Sequence, residues 1–383
     1  MSAFYKMGDS VEWAEAFGAP DAVESWLLAE LVQAYFEARR AKRSTTDEQL
    51  FEVRYLENLL LLRDKILHGD YHPSHGIAFI SKSPVVREIF AAPFVDRVVH
   101  HLLYNGVADW WDRRFIYDSG SCRKGKGTLF CINRLAHHIR SVTDNYQKPA
   151  YVIKLDIQGY FMSLRRDKLY DRVLWGLERQ FPDGGARASI YKQLWREVIF
   201  DDPTVGVVKR GRASDWKMLP PSKSLFHQPE GQGIVIGNLT SQLLSNIHLD
   251  QLDRYMKLEL GYKHYGRYVD DFYVIVTPEE FEKAKYHIED IRRFLKTLGL
   301  TLHPKKIYIQ EVRKGIPFLG MTVYPGRVVP GKRIKHNYCN ALNEVVSGKK
   351  DLETVASYMG LLKHVDSFRA QKQVFDRAGL DYH

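Results

Sequence analysis

The sequence predicts an α+β fold centred on an antiparallel sheet that the chain builds in β-α-β-β-α-β order. Three observations predict it. A short apolar strand over 151–156 ends on a carboxylate, a hairpin over 262–276 folds at Val269-Asp270-Asp271, and the helix that follows carries clear signals at both ends.

Taken in order, the first fifty or so residues read as helical and polar, with Trp26, Leu27, Leu31 and Tyr35 forming a modest stripe. A second helix is expected over 50–67, stopping before Gly69. His72-Pro73 and Ser83-Pro84 break the segment 70–90, as extended strands joined by turns require. Basic residues and glycines then cluster in Cys122-Arg123-Lys124-Gly125-Lys126-Gly127. The polar stretch 201–232 reads as an inserted loop. A helix over 241–259 turns Leu244, Ile247, Leu252 and Met256 inward and closes at Gly261. After the hairpin, Thr277 and Glu280 form a capping box, Pro278 takes the first helical position and Gly299 ends the helix. Its buried face is Phe281, Ala284, Ile288, Ile291, Leu295 and Leu298. A strand over 307–312 completes the sheet. The basic remainder, 333–383, reads as helical, with Leu352, Val355, Met359, Leu362, Val365 and Phe368 on one side.

Composition bounds the function. The chain has 383 residues, 45% hydrophobic and 27% charged, enough for a sizeable core in two or three lobes and too apolar for wholesale disorder. Lys plus Arg number 56 against 46 Asp plus Glu, a net charge of +10 that favours a polyanionic partner. Cys122, Cys131 and Cys339 have neither metal-ligand spacing nor the number for a disulfide framework, which suits a reducing cytoplasm. His72 and His75 lack the further ligands of a zinc set and read as turn residues. No apolar run approaches the roughly 18 residues of a membrane span, and the acids Asp9, Glu12, Glu15, Asp21 and Glu24 are unlike a secretory leader, so no membrane association is expected.

The carboxylates carry the chemistry. In this topology Asp156, at the end of one strand, neighbours Asp270-Asp271 in the turn of the central hairpin. Converging carboxylates repel and raise one another's pKa unless a cation joins them. Two Mg²⁺ ions, roughly 3.5–4 Å apart, would resolve the repulsion and support phosphoryl transfer. Taken singly, an Asp-Asp turn is ordinary turn chemistry and a strand-final Asp is often a helix cap; the placement is what points to function.

Tyr268-Val269-Asp270-Asp271 resembles the YxDD box of reverse transcriptases, and Asp156-Ile157-Gln158-Gly159-Tyr160-Phe161 resembles their motif A. The likeness runs in order over about 71–369. It implies a right-hand polymerase: an N-terminal helical extension over 1–50, fingers over 51–150, a palm over 151–325 with further fingers elements and the insertion, and a short helical thumb over 326–383. Ile236-Gly237-Asn238-Leu239-Thr240-Ser241-Gln242 has Ile where most of the family has Gln, and Gln where it has Pro. That segment is similar to the enzymes of diversity-generating retroelements, as are the Cys122–Thr128 and Pro93–His101 segments and Gly360-Leu361-Leu362-Lys363-His364. The resemblance implies a bacterial, archaeal or phage-encoded cytoplasmic enzyme. It would copy a template-repeat RNA onto a cDNA or DNA primer from dNTPs, with errors at adenines and the help of an oligomeric basic accessory protein.

Residue by residue, it implies that Asp156, Asp270, Asp271 and the Ile157 carbonyl hold two Mg²⁺, with Mn²⁺ as a substitute. Gly159 and Tyr160 would lie beside the triphosphate, Phe161 would be a steric gate against ribose, and Lys82 and Arg87 would clamp phosphates and base. Ile236, Gly237 and Gln242 would line the nascent pair, Ile236 enforcing its geometry less tightly than a hydrogen-bonding side chain. Lys306 matches a lysine proposed to protonate pyrophosphate, with Lys305 adjacent. Phe318-Leu319-Gly320 and Tyr268 fall at primer contacts, while Arg123, Lys124 and Lys126 would meet template phosphates. Retron, group II intron-like and defence-associated enzymes are the neighbouring alternatives, and a silent RNA-binding scaffold is the alternative of another class.

Overall fold

A computed structural model describes residues 22–40, 45–82, 85–349 and 351–380. The expected Ser83-Pro84 turn and the acids from Asp9 to Asp21 lie outside the described residues. Among the described residues there are ten strands: β1 (Ile77–Ser81), β2 (Arg87–Ala91), β3 (Tyr151–Asp156), β4 (Val208–Lys209), β5 (Tyr265–Tyr268), β6 (Asp271–Val276), β7 (Tyr308–Glu311), β8 (Ile316–Phe318), β9 (Met321–Tyr324) and β10 (Arg327–Pro330). They form sheets in the orders β2-β1-β4, β5-β6-β3-β7 and β10-β9-β8. The chain divides into two compact units, Met1–Phe115 with Gly159–Leu249, and Ile116–Gln158 with Asp250–His383.

In the first unit, helix Ala22–Ala38 buries Leu27, Leu31 and Tyr35 of the expected stripe and Leu28 besides, while Trp26 is half-buried. The single helix expected over 50–67 is two, Thr46–Val53 and Tyr55–His68, separated where Arg54 leaves the helical basin at φ −130° and ψ 42°. Arginine favours helix, so nothing in the sequence flagged that break. Gly69, left-handed at φ 79°, ends the second helix as expected. β1 and β2 pair antiparallel, giving the extended pair read from 70–90. The 201–232 insertion is less irregular than expected. Its β4 joins β1 in parallel, and a short helix, Ala213–Lys217, follows. Buried Glu88 of β2 ties the insertion down, accepting from Ser224 Oγ at 2.9 Å and the Leu225 amide at 2.7 Å.

In the second unit every pairing of the sheet β5-β6-β3-β7 is antiparallel, and its order is that of the split βαβ arrangement. Helix Pro278–Thr297 carries the full capping box of Thr277 and Glu280, buries Ala284, Ile291 and Leu295, and stacks Phe281 on Tyr151 of β3 with centroids 4.1 Å apart. The other face of the sheet closes over Leu135, Ile139, Val152, Tyr273, Ile275 and Phe318. The helix expected over 241–259 runs from Leu239 to Arg254 and continues as a π-helical turn, Tyr255–Glu259, with Leu244, Ile247, Leu252 and Met256 all buried.

The C-terminal stripe needs correction. Three helices form, Lys332–Val346, Leu352–Leu362 and Phe368–Arg377, and their shared core takes Val355 and Leu362 with Tyr338, Leu342 and Val374. Leu352, Met359 and Phe368 are exposed. Leu352 and Phe368 are the first residues of their helices, so a period read as continuous is interrupted by turns. No helix among the described residues is long and apolar enough to cross a membrane.

Candidate active site

The carboxylates are placed by backbone register. Tyr268 and Asp271 are paired residues of β5 and β6, so only Val269 and Asp270 remain in the turn. Asp271 is in turn the partner of Asp156 across β6 and β3. The Asp270 carbonyl accepts the Ile157 amide at 3.2 Å, fixing the strand end against the turn. Two residues 115 positions apart in sequence thus become direct cross-strand neighbours, with the third acid beside them.

Two lysines now hold this charge. Lys306 Nζ lies 2.9 and 3.0 Å from the two Asp156 oxygens, and Lys154 Nζ lies 3.2 Å from Asp271 Oδ2. Asp271 Oδ1 is buried with no hydrogen-bond partner among the described residues. Burial and the neighbouring Asp156 push Asp270 up to about 6. Burial also raises Asp271, and Lys154 opposes it. Among the described residues no three acid, His or Cys groups close on one point as a finished metal site, because Asp156 is turned onto Lys306 and Asp271 onto Lys154. Buried, partly unsatisfied oxygen donors still fit a hard divalent cation, which would replace the ammonium groups as their counter-charge. Lys154 was missed in the sequence. The signal was there: in Lys154-Leu155-Asp156 the lysine and the aspartate share one face of the strand.

The residues expected at the nucleotide lie in the first unit, Lys82 and Arg87 in its first segment and the others from Gly159 onward. Gly159 is left-handed at φ 55° before the short helix Tyr160–Ser163. The Tyr160 hydroxyl donates to the Ser245 carbonyl at 2.9 Å. Phe161 and Ile236 come together, half-buried against one cluster of Ala78, Phe90, Met162, Leu225 and Val235. The Ile236 carbonyl accepts the Phe90 amide at 3.2 Å. Gly237 has φ +135°, and a Cβ there would lie 2.6 Å from the Phe90 carbonyl oxygen, so glycine is required. Gln242 and Arg87 are exposed. Lys82 is paired with Asp215 of the insertion at 2.7 Å, so it must leave that carboxylate to meet a phosphate.

The expected template and primer residues divide. Lys124 is exposed. Arg123 donates to the Ile116 and Ser119 carbonyls at 2.7 and 2.8 Å, and Lys126 to the Tyr117 carbonyl at 2.6 Å, so both brace their own loop. Tyr268 is half-buried beside the turn. Phe318, expected at a primer contact, has its ring in the core, edge-on to Tyr273 at 5.3 Å. Leu319 and Gly320, at φ 49° and 86°, form the turn that follows it.

Residues 85–323 match the family described as reverse transcriptase (RNA-dependent DNA polymerase), and the chain belongs to that family. No curated protein matches it. Among solved structures it is similar to telomerase from Candida albicans in complex with a three-way-junction (TWJ) fragment of telomeric RNA, at 12% identity and TM-score 0.48, over 86% of this chain and 62% of that one. It is also similar to apo telomerase from Candida tropicalis, at 13% identity and TM-score 0.48, over 80% and 59% of the two chains. The chain spans about three fifths of the length of these structures. The fold is the α+β polymerase fold expected from the sequence.

Proposed function

We propose that the protein is an RNA-directed DNA polymerase of the diversity-generating retroelement type, acting at Asp156, Asp270 and Asp271. The observation that carries the reading is the β3–β6 register, which sets Asp156 opposite Asp271 at a two-residue turn holding Asp270. Asp156, Asp270, Asp271 and the Ile157 carbonyl would hold two Mg²⁺ ions, which when bound favour ionisation of a primer 3′-hydroxyl and balance the charge of the leaving pyrophosphate. The chain's own residues do the rest. The hairpin orients the acids, Lys306, which pairs with Asp156 in the metal-free chain, would be released to offer a proton at the same edge, and Phe161 and Ile236 would offer apolar surface to sugar and base. Fingers over 51–150, a palm over 151–325 and a thumb over 326–383 are the domains this reading assigns. The Ile236-to-Gln242 segment supports the subtype. With it come a template-repeat RNA, errors at adenines, a basic oligomeric accessory protein and a cytoplasmic setting.

Primer extension on a defined RNA with four dNTPs and Mg²⁺ tests the reading. Asp270→Asn should cut incorporation by about 10³-fold or more, the scale lost with a charge-stabilising group, and leave RNA affinity unchanged. Sequencing the wild-type cDNA should place substitutions at template adenines. An Asp270→Asn protein that extends primers normally would sink the assignment of the site.

A further inference from the structure

The catalytic turn has a backbone that its sequence disfavours. Val269 sits at φ 55°, in the left-handed region where a β-branched residue is an outlier. Something must hold it, and the partners come from a strip distant in sequence. The Val269 amide donates to Ser121 Oγ at 3.1 Å, and its carbonyl accepts Arg267 Nη1 at 3.0 Å. The same guanidinium donates through Nη2 to Ser119 Oγ at 2.9 Å. Backbone bonds lock the strip beside β5: the Arg267 amide to the Asp118 carbonyl at 3.0 Å, and the Gly120 amide to the Arg267 carbonyl at 3.1 Å. Gly120 permits this approach, since a Cβ there would lie 2.1 Å from Cys131 Sγ.

Both ends of the strip are anchored. The Asp118 carboxylate meets Arg134 at 2.6 Å and Lys257 at 3.2 Å, and Arg123 ties the Ser119 and Ile116 carbonyls together. Arg267 is itself fixed by Asp253, which accepts from Nε and Nη2 at 2.7 Å each. Ser119, Ser121 and Arg267 are all buried. These are rigid parts aimed at one peptide unit, next to the two acids.

We propose that Ser119, Ser121 and Arg267 are positioning residues, a clamp that holds Val269 left-handed and thereby aims Asp270 and Asp271. The inference rests on the polymerase reading of those acids. Without the clamp, Val269 relaxes to negative φ, a swing of roughly 100° that re-aims Asp270. Because the strain is specific to a residue with a Cβ, glycine at 269 should make the clamp dispensable.

The test is a cycle of Ser121→Ala, Val269→Gly and the double variant. Amide hydrogen exchange of the 268–271 hairpin is measured in metal-free protein, with kcat and KM for dNTP incorporation alongside. Ser121→Ala should speed Val269 exchange at least tenfold and lower kcat about tenfold, with KM for primer–template unchanged. Adding Val269→Gly should return kcat to within about threefold of wild type. Ser121→Ala with wild-type exchange overturns the clamp, as does a double variant no better than Ser121→Ala. The exchange measurement needs no catalysis, so it reads the clamp even if the wild-type protein fails to incorporate dNTPs, an outcome that would overturn the polymerase reading alone. Equal melting temperatures for Ser121→Ala and wild type separate aiming from unfolding.

Discussion

Two sets of acids in the second unit, one buried and one half-buried, solve the same problem differently. Asp253 is fully buried and fully answered, accepting the Tyr265 hydroxyl at 2.6 Å and two Arg267 donors at 2.7 Å. Asp270 and Asp271 are answered in part: one Asp271 oxygen has Lys154, the other has no partner among the described residues, and Asp270 is pushed up to about 6 by burial and by Asp156. A satisfied buried acid fixes a structure. An unsatisfied one costs stability and persists where a ligand can complete it.

Substituting one acid from each set should give opposite signs. Asp253→Asn leaves the buried Arg267 guanidinium without its counter-charge, which should cost about 3–5 kcal/mol of unfolding free energy. Asp270→Asn removes a desolvated, repelled charge and should stabilise the metal-free protein by on the order of 1 kcal/mol. Urea denaturation of the two variants beside wild type measures both. Two losses of similar size would mean that Asp270 is as structural as Asp253.

The pH dependence sharpens the contrast. Asp270 holds its proton up to about 6 when folded, against an ordinary 3.8. Between those values the folded protein keeps a proton that the unfolded chain has released, so this group favours folding at low pH. Its contribution is lost as pH rises through about 6. The urea midpoint of metal-free wild type, relative to Asp270→Asn, should therefore fall from pH 4.5 to 7 and level off above. A flat difference would remove the buried-charge account. Saturating Mg²⁺ should reverse the slope, since the ion selects the ionised acids.

Much of this was legible in the sequence, and the exceptions have physical causes. The four-stranded sheet was readable because a short apolar strand, a hairpin and a complete capping box are local signals, and Tyr151–Asp156 forms as expected. The acids were readable because topology alone makes Asp156 and the Asp270-Asp271 turn neighbours. The break at Arg54 was not, since the residue favours the helix it interrupts. Nor was the clamp: Ser119 and Ser121 are ordinary residues until a strip with no strand pattern pairs with β5. The Cys122–Gly127 cluster looked like a phosphate site, yet Arg123 and Lys126 spend their donors on neighbouring carbonyls. Charge is visible in a sequence; where a long side chain bends is not.

A smaller effect than that of Asp253→Asn is expected at Lys154, whose ammonium partly answers the open set and also touches the Pro317 carbonyl at 3.1 Å. Lys154→Met keeps the apolar stem and removes the cation with its two long, partly exposed hydrogen bonds, so it should cost the metal-free protein about 1 kcal/mol. The same change takes a positive charge from the edge where a divalent ion would sit. Mg²⁺ should then raise the melting temperature of Lys154→Met more than that of wild type, narrowing the gap between them. Lys306 gives the complementary case from the Asp156 side, but its ammonium is more exposed and water screens it more, so its removal should move the melting temperature less. If Mg²⁺ shifts Lys154→Met no further than wild type, Lys154 is part of the sheet's fixed structure and the set is less open than its orphaned oxygen implies.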